Sequence, residues 1–154
     1  MNWKDAKWFV QKEFQCQCGK CGLPEMSFAL IDALDWLRET MGVPFTVTSG
    51  YRCPAHNKAV GGAPKSFHLF GKAADITVTR KILLPLIYKI GIVSKRFNGI
   101  GLSENRFIHF DVGDRPTPYY FVYPPSSRYK QLNPDILKEI QSKTIEEHLR
   151  EFKV

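Results

Sequence analysis

Three residues of this chain carry the chemistry of a zinc site: His68, Asp75 and His109. Imidazole nitrogen and carboxylate oxygen are suitable zinc donors, and a catalytic site takes three protein ligands and leaves the fourth position to water. An H-x6-D spacing alone occurs by chance in many proteins, so the surroundings carry the argument. The stretch reads Ser66-Phe67-His68-Leu69-Phe70-Gly71-Lys72-Ala73-Ala74-Asp75, preceded by Ser49-Gly50-Tyr51-Arg52 and followed by Phe107-Ile108-His109-Phe110-Asp111. Gly71 and Ala73 are small enough to let the backbone between two ligands curve around a metal.

In order and spacing these blocks, S-G-Y-R, S-x-H-x-x-G-x-A-x-D and H-x-D, resemble the zinc D-alanyl-D-alanine carboxypeptidases and L-alanyl-D-glutamate endopeptidases. That group also includes lysostaphin-type enzymes and the hedgehog signalling domain. Gly61-Gly62 and Gly99-Ile100-Gly101 fit as well, and the resemblance runs from about Phe14 to Tyr123. It implies a zinc-dependent hydrolase of peptide bonds in peptidoglycan stem peptides, with His68, Asp75 and His109 as ligands. It also implies a substrate- and oxyanion-binding role for Arg52, which could instead be a surface arginine closing a turn, and substrate contacts for Ser66 and Tyr51. Serine before a turn is itself commonplace.

The chain departs from the resemblance at one place. Many relatives carry a general base three or two residues before the last histidine, where this sequence has Arg106 and Phe107. Asp111, two residues beyond His109 on the same strand face, and Glu104 in the preceding turn are the remaining candidates. Asp111 could reach the reacting water or brace a ligand. The missing base keeps a second role open, a zinc-holding wall-binding or phage-tail module with weak catalysis.

Cys16, Cys18, Cys21 and Cys53 form a second group of potential ligands, three of them in a C-x-C-x-x-C cluster. Four thiols could hold a structural zinc, although the first spacing is tight; buried free thiols, or a disulfide involving Cys53, are the alternatives. His56 is expected to cap a turn or helix, and His148 to be solvated on a charged terminal helix. Tyr119, Tyr120, Phe121 and Tyr123 are either a groove wall or packing.

These side chains need a scaffold, and 154 residues suffice for a single domain with one core, closed by a C-terminal helical extension over 128–154. Leu30, Ile31, Leu34, Leu37 and Met41 predict an amphipathic helix over Ser27 to Met41, closed by Gly42 and Pro44. Strands are predicted at Phe45 to Thr48, Lys72 to Val78, Gly99 to Leu102 and Arg106 to Val112, the last two as a hairpin. An edge strand is expected at Tyr119 to Val122, within the proline-bearing segment Asp114 to Ser127. Thr79 is expected to cap a helix over Arg80 to Ile90, kinked at Pro85. One closing helix is expected to start at Asn133-Pro134. The fold class is α+β, helices on a small, largely antiparallel sheet.

A formal charge of +7 favours anionic partners such as bacterial envelope polymers. The basic residues are scattered, which argues against nucleic acid. Nothing is long and apolar enough for membrane insertion, and a monomer is expected. The first residues lack a secretory h-region. The expectation is therefore synthesis in the cytoplasm and action on the wall after lysis or as part of a phage particle.

Overall fold

The computed structural model describes residues 2–124 and 129–152. The end of the proline-bearing segment, residues 125–127, lies outside the described residues, as do 128 and 153–154 of the extension. The elements are α1 (Phe28–Met41), β1 (Thr46–Ser49), α2 (Pro54–Ala59), β2 (Ala73–Thr77), α3 (Leu84–Ser94), β3 (Gly99–Ser103), β4 (Phe107–Asp111), β5 (Tyr119–Val122), β6 (Lys130–Gln131), α4 (Pro134–Gln141) and α5 (Ile145–Phe152). The strands form one sheet in the order β1-β2-β4-β3-β5-β6. Every pairing is antiparallel except β3 with β5.

Because successive side chains on a strand point to opposite faces, the sheet sorts its residues by parity. Ile76, Ile100, Ile108 and Phe110 belong to the buried core that includes α1 and α3. Asp75, His109 and Asp111 occupy the alternate positions. On α1, Leu30, Ile31, Leu34 and Leu37 are fully buried, the stripe predicted from their spacing. Each contributes about 1.5–3 kcal/mol by leaving water. Gly42 ends α1 in the left-handed conformation, its N–H bonded to the Arg38 carbonyl.

The opposite parity builds rows across the sheet. Ser49 pairs with Asp75, Asp75 with His109, His109 with Gly101, and Gly101 with Phe121. A Cβ on Gly101 would lie 2.2 Å from Phe121 Cε2, so the missing side chain is what allows the Phe121 ring to lean toward His109. In the next row Gly99 leaves the same kind of space for the Asp111 carboxylate.

Four expectations need correction. Pro85 does not kink a helix: a 3-10 turn covers Lys81–Leu83, and Pro85 sits in the first turn of α3, where no backbone N–H is needed. Thr79 is therefore not its cap. The strand Tyr119–Val122 is not an edge, because β6 pairs with its outer side. The closing helix is two helices. Thr144 starts α5 with a reciprocal cap, in which its Oγ1 accepts from Glu147 N–H and Glu147 Oε2 accepts from Thr144 N–H. His148 is not solvated but only 3% exposed, with Nε2–H donating to the Ile140 carbonyl at 2.9 Å and so tying α5 to α4.

Gly50 makes the closest backbone approach relevant to the site. A Cβ there would stand 2.5 Å from Phe14 Cα and 2.6 Å from Phe14 O, neither of which can rotate away. Gly50→Ala is therefore expected to destabilise the fold by about 1–3 kcal/mol, as overpacking does, measured as a lowered midpoint in urea with an unchanged slope. A midpoint equal to that of the parent protein would show that the loop is not pressed against Phe14.

Candidate active site

Each of the three predicted ligands has a different support. His68 lies in a 3-10 turn, Phe67–Phe70, that starts at Ser66, whose Oγ accepts the His68 N–H. The turn is closed by Gly71 at φ +67°, pressed so close to the Glu25 carbonyl that a Cβ would lie 2.1 Å from it. Asp75 comes from the middle of β2 and His109 from the middle of β4, directly opposite each other in register. All three are at least nine-tenths buried.

Their donor atoms converge. Asp75 Oδ1 lies 3.3 Å from His68 Nε2 and 3.0 Å from His109 Nδ1. The outer nitrogens settle the tautomers. His68 Nδ1 is 2.7 Å from the Gly50 carbonyl, which can only accept, so Nδ1 carries the hydrogen and Nε2 presents a lone pair. His109 Nε2 is 2.8 Å from Asp111 Oδ2 and donates to it, so in the neutral imidazole the Nδ1 lone pair faces Asp75. Without metal a proton on His109 Nδ1 bridges it to Asp75; once that proton leaves, two nitrogen lone pairs and a carboxylate oxygen face one another and need a cation among them. Zinc–ligand distances of about 2.0–2.1 Å in a tetrahedron put neighbouring ligands about 3.3 Å apart. The three side chains therefore fit one zinc ion.

The electrostatics agree. Burial would raise Asp75, but His109 and His68 beside it reverse this and hold its carboxyl well below the usual range. Burial would lower His109, yet Asp111 and Asp75 on its two nitrogens push it up to about 9. Asp111 is likewise held low against burial, by His109 and Arg115.

Asp111 stands behind His109. It is fully buried, and besides His109 it accepts from Arg115 Nη2 at 2.9 Å and from Gly113 N–H at 3.2 Å. Its oxygens are thus occupied on the side of the imidazole away from the ligand cluster. Glu104 is exposed in the β3–β4 turn and does not line the cleft. Of the two expected bases, neither is brought to the metal cluster.

Arg52 is brought there. Its Nη2 lies 3.2 Å from Asp75 Oδ2, the oxygen turned away from the histidines, while Nε donates to Ser49 Oγ and Nη1 to Asn57 Oδ1. Ser66 lines the cleft as well. Tyr51 does not; it packs on the core with its hydroxyl group near the cysteines. His56 does not cap α2: Cys53 does, its Sγ accepting the His56 N–H.

The cleft encloses about 440 Å³, within the range of small-ligand sites. Arg52, Lys65 and Arg115 bring positive charge to it, and among the described lining residues Asp75 is the only carboxylate. Phe67, Phe107, Tyr119, Phe121, Tyr123 and Tyr129 form an aromatic wall, whereas Tyr120 is buried in the core. Asn57 and Arg115 were not singled out from the sequence. Asn57 is buried, bridges Arg52 to the Ala63 carbonyl, and fills the space that a side chain on Gly62 would need. Arg115 lies four residues after Asp111, in a loop whose direction a linear pattern does not reveal.

Cys16, Cys18, Cys21 and Cys53 also converge, with all four sulfurs within 4.8 Å of one another. They form a second candidate metal site, distinct from the histidines.

A buried two-histidine, one-carboxylate set at the floor of an open cleft suits a single zinc ion with its fourth position open. The family model described as Peptidase M15 matches residues 7–111, and the chain belongs to that family. Its His68–Asp75–His109 cluster is accordingly a zinc metallopeptidase site of the peptidoglycan-peptidase type. A search of the curated proteins returns no match.

Because His109 holds a proton up to about pH 9 without metal, zinc must displace that proton on binding. Below pH 9 the apparent zinc affinity of the apoprotein is expected to fall by about tenfold per pH unit from this group alone. Calorimetry in buffers of different ionisation enthalpy reads the proton count. Zinc uptake at pH 7 without proton release would contradict this account.

Proposed function

We propose that this protein cleaves peptide bonds of peptidoglycan stem peptides, with His68, Asp75 and His109 holding the catalytic zinc. The observation that carries the reading is the convergence of those three donors in a chain of the M15 family. When bound, the ion supplies a water acidified to a pKa of about 7 and Lewis-acid polarisation of the peptide carbonyl.

The residues of the chain supply the rest. Arg52, held by Asp75, Ser49 and Asn57, presents a fixed positive charge beside the reacting carbonyl and favours the negative charge that develops on its oxygen. Lys65 and Arg115 give the cleft a preference for anionic peptides, and stem peptides carry free carboxylates. The aromatic wall excludes water from the bound chain. Ser66 orients the His68 turn and offers its hydroxyl at the cleft surface.

Asp111 acts through His109 and is a positioning residue. Its carboxylate fixes the imidazole orientation and raises the basicity of the ligating nitrogen. No carboxylate base is assigned. The acidity conferred on the water by the metal makes a strong base unnecessary near neutral pH.

Two measurements test this. Zinc-loaded protein incubated with purified sacculi is expected to release peptide fragments detectable by mass spectrometry, and His109→Ala to release none. Intact sacculi after exposure to the zinc-loaded protein would refute the activity and favour a wall-binding module. Asp111→Asn is expected to weaken zinc binding about 10–100-fold, the usual consequence of losing a ligand's hydrogen-bond partner, and to recover most of its turnover at saturating zinc. Unchanged zinc affinity with a large loss of turnover at full occupancy would instead make Asp111 the general base.

A further inference from the structure

The loop that serves the metal cluster from outside, residues 50–53, ends at a cysteine. Gly50 gives its carbonyl to His68 and Arg52 its guanidinium to Asp75, and the next residue is Cys53. Cys53 lies among Cys16, Cys18 and Cys21, which come from the N-terminal segment.

The sulfurs have the spacing of ligands to one ion. At a zinc–sulfur distance of about 2.3 Å, tetrahedral geometry puts neighbouring sulfurs about 3.8 Å apart. Here Cys18 Sγ and Cys21 Sγ are 3.5 Å apart, and all four fall within 4.8 Å of one another. Three of the sulfurs already accept backbone N–H groups: Cys18 from Lys20, Cys16 from Cys53, and Cys53 from His56. Such bonds favour the thiolate form that metals require. As thiols the sulfurs can share S–H···S contacts, as Cys18 and Cys21 do; deprotonated together they would need a cation, and a tetrahedral set of four sulfurs suits zinc.

The N-terminal segment and the loop are also joined by backbone. Tyr51 N–H donates to Phe14 O at 2.9 Å, Gln17 Nε2 donates to Thr48 O, and Gly50 leaves room for the Phe14 backbone. An ion bound by three cysteines of one segment and one of the other would lock this register.

We propose that Cys16, Cys18, Cys21 and Cys53 bind a second, structural zinc ion through all four sulfurs, and that this ion positions residues 50–53 and thereby the first metal site. The thiolate site stands on the four sulfurs alone. Its coupling to the first site rests on the reading of His68, Asp75 and His109 as zinc ligands.

The test uses the full chain. Purified protein is expected to contain two zinc ions, and the double variant His68→Ala/His109→Ala to contain one. Cobalt substitution of that double variant is expected to give the intense sulfur-to-cobalt charge-transfer absorption of tetrathiolate coordination. This readout needs no cysteine variant and no peptidase activity, so it survives failure of the functional proposal. One metal per parent chain, lost entirely in the histidine variant, would overturn the thiolate site, as would iron in place of zinc. For the coupling, Cys21→Ser is expected to weaken zinc at the histidine cluster about 10–100-fold in chelator competition, although Cys21 touches none of its ligands. Retention of the parent affinity in a folded Cys21→Ser protein would overturn the positioning role. If that variant does not fold, the same competition is run on Cys18→Ser, which also removes one sulfur from the ion, and an unchanged affinity there would overturn the positioning role equally.

Discussion

Everything near the cleft follows from the placement of two nitrogen lone pairs and one carboxylate oxygen within about a tetrahedron's edge of each other. Without metal the His109 proton balances the Asp75 charge, and with that proton gone the cluster needs a cation. Each member is fixed from behind: His68 by the Gly50 carbonyl, His109 by Asp111, and Asp75 by Arg52. Each outer partner is itself held, Asp111 by Arg115 and Gly113, and Arg52 by Ser49 and Asn57. Metal binding replaces the His109 proton, so stability and function draw on the same few contacts.

The ligands themselves were legible in the sequence because the blocks around them are dense and ordered, and the strands were legible from their β-branched and aromatic residues and the turns between them. Other features depend on direction, which a linear pattern does not carry. Asp111 shares a strand face with His109, and that parity is equally compatible with reaching the metal or bracing the imidazole. The choice is made by Arg115 from the following loop and by the space at Gly99. Tyr51 and Arg52 are adjacent in one sequence block, and adjacency does not say which side chain faces the cleft. Arg52 reaches the cleft, and Tyr51 packs on the core. The break between α4 and α5 was signalled by Thr144-Ile145-Glu146-Glu147, a capping box that the continuous apolar stripe concealed.

The cleft wall shows how a sheet can serve both core and surface. β5 alternates Tyr119 and Phe121 toward the cleft with Tyr120 toward the core, where the Tyr88 hydroxyl bonds to the Phe121 carbonyl. Phe121 stacks with Tyr119 and approaches His109 within 5.8 Å between ring centroids. The aromatic surface offered to a ligand is thus continuous with the packing that steadies a metal ligand.

Strand β4 lies between β2 and β3 in the sheet but follows both in the chain. A ribosome makes His68 and Asp75 well before His109, and the sheet cannot close until β4 inserts into the gap between two strands already synthesised. No complete three-residue site exists on the nascent chain before then. Strand order alone therefore delays assembly of the hydrolytic centre until most of the domain that confines it has been made.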